Sequence, residues 1–116
     1  MQTHENLTLW QKAVDLSVAV YKMTEKFPAR EMYGLTSQVR RAAISVPSNI
    51  AEGRRRGTDA DFSHFLRIAH GSLAELDTQL LIAAKLSFCT SRDYEAMHVQ
   101  ITEVSKMLHG MIKKLR

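Results

Sequence analysis

Asp59-Ala60-Asp61-Phe62-Ser63-His64-Phe65-Leu66-Arg67-Ile68-Ala69-His70-Gly71-Ser72-Leu73-Ala74-Glu75-Leu76-Asp77-Thr78-Gln79-Leu80-Leu81-Ile82-Ala83-Ala84 is the stretch that decides the fold. Phe62, Leu66, Ala69, Leu73, Leu76, Leu80 and Ala83 recur in steps of four and three, so they share one stripe of a helix. The repeat predicts a long helix over 59–87, capped by Thr58 or Asp59, with Asp59 and Asp61 suited to the positive end of its dipole. Such a stripe cannot be buried by one helix alone, and the flanking sequence supplies the partners.

Downstream, Tyr94, Met97, Ile101, Val104, Leu108, Met111 and Leu115 keep the same spacing and predict a helix over 91–115. Upstream, Leu9, Ala13, Leu16, Val20, Met23 and Phe27 predict another over 8–26, with Thr8 as N-cap and Phe27-Pro28 as its end. Leu35, Val39, Ala42 and Val46 mark a helix over 35–53 that Gly53 should stop. Pro47 falls inside it and is expected to kink or interrupt it, because its ring crowds the Ala43 carbonyl. Asn49 is placed to satisfy carbonyls that lose the proline N–H. No stretch alternates with period two. The expected fold class is all-α: a single domain over 1–116, an antiparallel up-and-down four-helix bundle with its second helix kinked near Pro47.

Composition agrees. A chain of 116 residues with 45% hydrophobic residues suits one core, and 5 Gly and 2 Pro are too few for a turn-rich sandwich. The lone Cys89 excludes an internal disulfide framework and a multi-cysteine zinc site. The N-terminal segment lacks the pattern of a secretory signal, and the richest apolar window is closed by Lys85. The expectation is a cytoplasmic protein that does not enter a membrane.

Catalysis finds no constellation. His4, His64, His70, His98 and His109 are never three or four residues apart, so no two form a helical metal pair. No glycine-rich phosphate loop is present, and Cys89 reads as a small buried hydrophobe. No metal, no cofactor and no enzymatic activity is expected.

Charge is concentrated. Arg40, Arg41, Arg54, Arg55 and Arg56 face a single acid, Glu52, within 40–56, and this piece carries the whole formal charge of +4. Lying between Gly53 and Gly57, the last three arginines are expected on a loop, where planar guanidinium forks are free to take phosphate. Lys113, Lys114 and Arg116 make a second, weaker basic patch. Glu75, in a half-apolar stripe, calls for a partner, and an arginine of the second helix is the candidate; a surface position is the other reading. Of Arg40 and Arg41, the latter is slightly favoured for a structural role. Apolar residues also exceed what one bundle core needs: Trp10, Val14 and Tyr21 form one surplus, and Phe65 and Ile68, with Ile82 and Leu86, form another. They read either as a broad core face or as an oligomer interface.

A longer pattern sharpens these expectations. Leu9-Trp10-Gln11-Lys12-Ala13, Phe27-Pro28 and Glu31-Met32-Tyr33-Gly34-Leu35-Thr36-Ser37-Gln38 precede the run Val39-Arg40-Arg41-Ala42-Ala43-Ile44-Ser45-Val46-Pro47-Ser48-Asn49-Ile50-Ala51-Glu52-Gly53. Phe65-Leu66-Arg67-Ile68-Ala69 and Gly71-Ser72-Leu73-Ala74-Glu75-Leu76 follow in order. Nearly the whole chain thereby resembles the four-helix bundle proteins encoded in intervening sequences of bacterial 23S ribosomal RNA genes. More distantly it is similar to the accessory protein of diversity-generating retroelements. The resemblance implies a homopentameric ring without catalytic residues, RNA or DNA as a ligand, and a protein partner such as a reverse transcriptase. Two functions follow from it: an oligomeric nucleic-acid binder gripping phosphate with Arg54, Arg55 and Arg56, assisted by Arg40 or Arg41, or an oligomeric scaffold for a protein.

Overall fold

A computed structural model describes residues 3–115. Its long helices are α1 (Thr8–Thr24), α2 (Leu35–Arg55), α3 (Asp59–Lys85) and α4 (Ser91–Lys114), with 3-10 turns at His4–Asn6 and Ala29–Glu31. α1 packs on α2, α2 on α3, α3 on α4, and α4 back on α1. Cross-helix contacts run in reverse order along each successive pair: Arg40 meets Thr24 while Arg55 meets His4, and Asp77 meets Tyr94 while His70 meets Ser105.

The stripe of α3 is buried at every expected position, from Phe62 to Ala83. Its N-terminus is capped by Thr58, whose hydroxyl accepts the Asp61 N–H at 3.1 Å. In α4 the stripe holds through Leu108, but Ile112 then enters the core, while Met111 and Leu115 only pack against its edge. A strict seven-residue repeat falls about 20° per heptad behind a helix of 3.6 residues per turn, so the position one residue further on takes over. Thr90 and Asp93 form a reciprocal capping box at its start.

The expected ends of α1 and α2 need correction. Leu7, not Thr8, is the N-cap of α1: its carbonyl accepts Gln11 N–H, and its own N–H reaches His4 O after the 3-10 turn. At the other end the α-helix stops at Thr24, because Glu25, Lys26 and Phe27 bond three residues back instead of four. Gly53 does not stop α2, which runs on to Arg55. Gly53 is instead the point where α2 and α3 nearly touch: a Cβ there would lie 2.6 Å from Phe65 Cβ. The chain turns four residues later, at Gly57, whose φ of 91° favours glycine.

Pro47 does not interrupt α2 either; the helix is continuous through it, and the proline is buried. The carbonyl it leaves unpaired, that of Ala43, is met from the neighbouring helix by the Ser17 hydroxyl at 3.0 Å. Asn49 does not serve this carbonyl. Its amide donates to Ser45 O and Ser45 Oγ, and Ser45 Oγ is 2.8 Å from Ser72 Oγ on α3.

Candidate functional site

The lengthening of α2 past Gly53 reshapes the basic run. Arg54 and Arg55 belong to its last turn and Arg56 is its C-cap, so none of the three is on a free loop. Cations here suit the negative end of the helix dipole. Each also has a local contact. The Arg54 guanidinium lies over the Phe62 ring at 5.1 Å, and that of Arg56 over Phe65 at 5.1 Å. Arg56 pairs with Glu52 at 2.8 Å, which raises its already high pKa through the hydrogen bond and the carboxylate's charge. Arg55 donates to His4 Nδ1 at 3.3 Å and reaches Glu5 Oε1 at 3.5 Å. The Arg55 and Arg56 side chains stay 60% and 52% exposed. Ion pairs this open are weak and screened by salt.

Lys113 and Lys114 occupy the last turn of α4. Because the contacts between α3 and α4 run in reverse order, these lysines share an end of the bundle with Arg54, Arg55 and Arg56. Arg116 lies outside the described residues. Asp59 and Asp61 open α3 at the same end, so that surface is mixed in sign with a basic excess.

Arg40 and Arg41 sit elsewhere, toward the start of α2. Their roles reverse the sequence expectation. Arg40 is the structural one: its Nε donates to Thr24 Oγ1 at 2.8 Å, and its guanidinium covers the Tyr21 ring at 4.6 Å. Arg41 makes no hydrogen bond or ion pair among the described residues; it points into an open groove of about 550 Å³ that Tyr33 and Ile44 also line. Glu75 lies exposed beside the adjoining groove and takes no arginine of α2 within ion-pair distance, the surface alternative of the sequence reading.

Of the surplus apolar residues, Trp10, Val14 and Phe65 are half-buried, with Trp10 packed on the core and edge-on to His4 at 4.9 Å. Tyr21 and Ile68 are exposed, as are Ile82 further along α3 and Leu86 at its C-cap. Helical spacing places Ile68, Ile82 and Leu86 on one flank.

A polar cluster between α3 and α4 was missed at the level of sequence. Tyr94 O–H donates to Asp77 Oδ1 at 2.9 Å, and His98 Nδ1 lies 3.0 Å from the same oxygen. Desolvation first, and then the hydrogen bond and charge of Asp77, push the Tyr94 hydroxyl up to about 12. Tyr94 and His98 are four apart on α4, a spacing that would have flagged the pair. Cys89 is buried, and that burial pushes its thiol up, away from the reactive thiolate. Among the described residues, no three His, Cys, Asp or Glu side chains gather as metal ligands, and no helix is long and apolar enough to cross a membrane.

A continuous four-helix core, in which α4 packs back on α1 and Lys12 pairs with Glu103 at 2.8 Å on the surface of that seam, is the setting for comparison with known proteins. The model of the 23S rRNA-intervening sequence protein family matches residues 5–110. The chain belongs to this family. Family membership thus spans all four helices, the α2 run through Pro47 included. The fold is also that of a solved protein of unknown function from the S23 ribosomal protein family of Bacteroides thetaiotaomicron, with a TM-score of 0.85 and 23% identity. The likeness covers 91% of this chain and 99% of that one. No curated protein matches.

Proposed function

We propose that the chain is a non-enzymatic, oligomeric nucleic-acid-binding protein of the cytoplasm that holds the phosphate backbone of RNA, or of DNA, at its basic end. The observation that carries this reading is the gathering of Arg54, Arg55, Arg56, Lys113 and Lys114 at one end, with Arg55 and Arg56 more than half exposed. Membership of a family described by its 23S rRNA intervening sequence supports RNA as the ligand. Phosphate contacts carry little sequence information, so shape rather than base sequence decides what is bound. The reversed contact order supports an up-and-down bundle, and a bend of α2 at Pro47 belongs to the same proposal.

Assembly into a homopentamer belongs to the same proposal, with Ile68 and Ile82 of α3 and Leu86 at its C-cap supplying exposed apolar surface and Trp10, Val14 and Phe65 the rest of the contact. Tyr21, its ring under Arg40, belongs instead to an open groove. Repetition around a ring multiplies the basic end into a field that a polyanion feels. The exposed flank of α3 also favours a second reading, a scaffold whose protein partner, such as a reverse transcriptase, docks there.

Fluorescence anisotropy of nuclease-treated protein with a structured RNA and a DNA duplex, over a salt series, tests the first reading. Micromolar or tighter binding that falls by several log units per log unit of salt is expected. R54E/R55E/R56E should abolish it. Absence of binding to both ligands at low salt overturns the nucleic-acid reading, and a partner retained after nuclease treatment establishes the second.

A further inference from the structure

The groove between the end of α1, the Ala29–Glu31 turn and the start of α2 is unlike the basic end of the molecule. Its wall holds Tyr21, Met32, Tyr33, Arg40, Arg41 and Ile44. No carboxylate lines it, while two guanidinium groups do. Tyr33 is 97% exposed, an aromatic ring standing free of the protein it belongs to. It lies within a fixed turn: Gly34 N–H bonds Glu31 O at 2.9 Å, and Glu31 Oε1 takes Leu35 N–H at 3.2 Å. Across the groove, Arg40 is locked over the Tyr21 ring and offers a pre-set cationic plane, and Arg41 keeps its fork unpaired.

We infer that this groove takes one unpaired nucleotide, the base against Tyr33 and the apolar wall of Met32 and Ile44, and its phosphate on Arg41. The chemistry is complementary in both parts. A flat π-face seeks an aromatic or guanidinium plane, and a phosphate seeks a cation not already paired, as Arg41 is not, although Glu75 shares the adjoining groove with it. Paired bases keep their faces stacked and are excluded, so the groove selects looped or single-stranded segments of the nucleic acid that the basic end holds by its phosphates. The inference rests on the nucleic-acid reading above and adds to it a preference for unpaired bases.

The test uses the full chain, an RNA hairpin with an open loop, and a blunt RNA duplex with the same number of phosphates, by anisotropy at fixed salt. The hairpin is expected to bind more tightly. Y33A should weaken the hairpin about tenfold, the scale of one lost base–aromatic stack, and leave the duplex unchanged. Y33F should retain binding, and R41Q should weaken the hairpin more than the duplex. Tyr33 touches nothing that folding needs, and unchanged helical circular dichroism and sedimentation of Y33A confirm this. Equal affinity for hairpin and duplex, unaltered by Y33A, overturns the inference and leaves the basic end as the working surface. Loss of both ligands' binding in the unmodified chain overturns the inference together with the reading beneath it. A change in sedimentation in Y33A without selective loss of the hairpin assigns the groove to a second copy of the chain and overturns it as well.

Discussion

The Ser17 hydroxyl of α1 lies 3.0 Å from the carbonyl oxygen of Ala43, the acceptor that Pro47 cannot serve. The same hydroxyl is 3.0 Å from Ala13 O, so its single hydrogen is shared between its own helix and its neighbour. Pro47 is therefore tolerated in mid-helix because another helix supplies the missing donor.

Removing that donor should be costly. S17A leaves a buried carbonyl unpaired and is expected to lower stability by about 1–3 kcal/mol in urea unfolding. P47A restores an N–H to Ala43 O, so S17A should cost much less in the P47A background. Equal cost of S17A in both backgrounds would refute the coupling.

Two helical glycines should respond in opposite senses. Alanine ordinarily gains about 1 kcal/mol over glycine within a helix. At Gly71 a Cβ meets open space, so G71A should raise the melting temperature. At Gly53 the Cβ would lie 2.6 Å from Phe65 Cβ, and G53A should instead lose about 1–3 kcal/mol as α2 and α3 are forced apart.

The two neighbouring arginines of α2 should separate as well. R40A removes the Thr24 hydrogen bond and the cover over Tyr21 and is expected to cost about 1 kcal/mol. R41A, with no protein partner, should stay within about 0.5 kcal/mol of the parent. Reversed effects would restore the structural role to Arg41.

Tyr94 makes stability sensitive to alkali. Its folded pKa, about 12, stands above the ordinary tyrosine value of 10.0. Between these values the unfolded chain gives up the proton first, so stability is full below 10.0 and declines as pH rises toward about 12. Y94F should flatten that decline in chemical unfolding. It should also remove a late phase from the ultraviolet titration of tyrosinate.

Thr36 offers a stabilising change. Its residue is 1% exposed and its Oγ1 has no hydrogen-bond partner. T36V keeps the shape and removes an unsatisfied oxygen, and an increase of about 1 kcal/mol is expected in unfolding experiments.

Periodicity made the core of α3 readable, because seven positions from Phe62 to Ala83 needed only the pitch of a helix to be placed. It could not place what depends on two helices at once. Gly53 looks like a stop in one dimension, and only the approach of Phe65 reveals it as a contact point. Ser17 carries no sign that it answers Pro47 from 30 positions away. The basic run was visible as charge, but its last-turn geometry, its ring and carboxylate partners, and the division of labour between Arg40 and Arg41 follow from packing. Tyr33 stood inside the family-like run without any local pattern to mark its exposure.

Each long helix packs on its neighbours in sequence, and among the described residues the seam between α1 and α4 and the contact of the His4–Asn6 turn with α2 join elements far apart along the chain. Most native contacts thus close short loops, which favours rapid assembly with low entropic cost, beginning in the hairpin of α2 and α3 with its three-residue link from Arg56 to Thr58. Docking of α1 against α4 closes the longest loop and completes the barrel of helices. In native-state hydrogen exchange the α1 amides along that seam should open before those of α3, and a variant that loosens the seam should raise the unfolding rate while leaving the folding rate nearly unchanged.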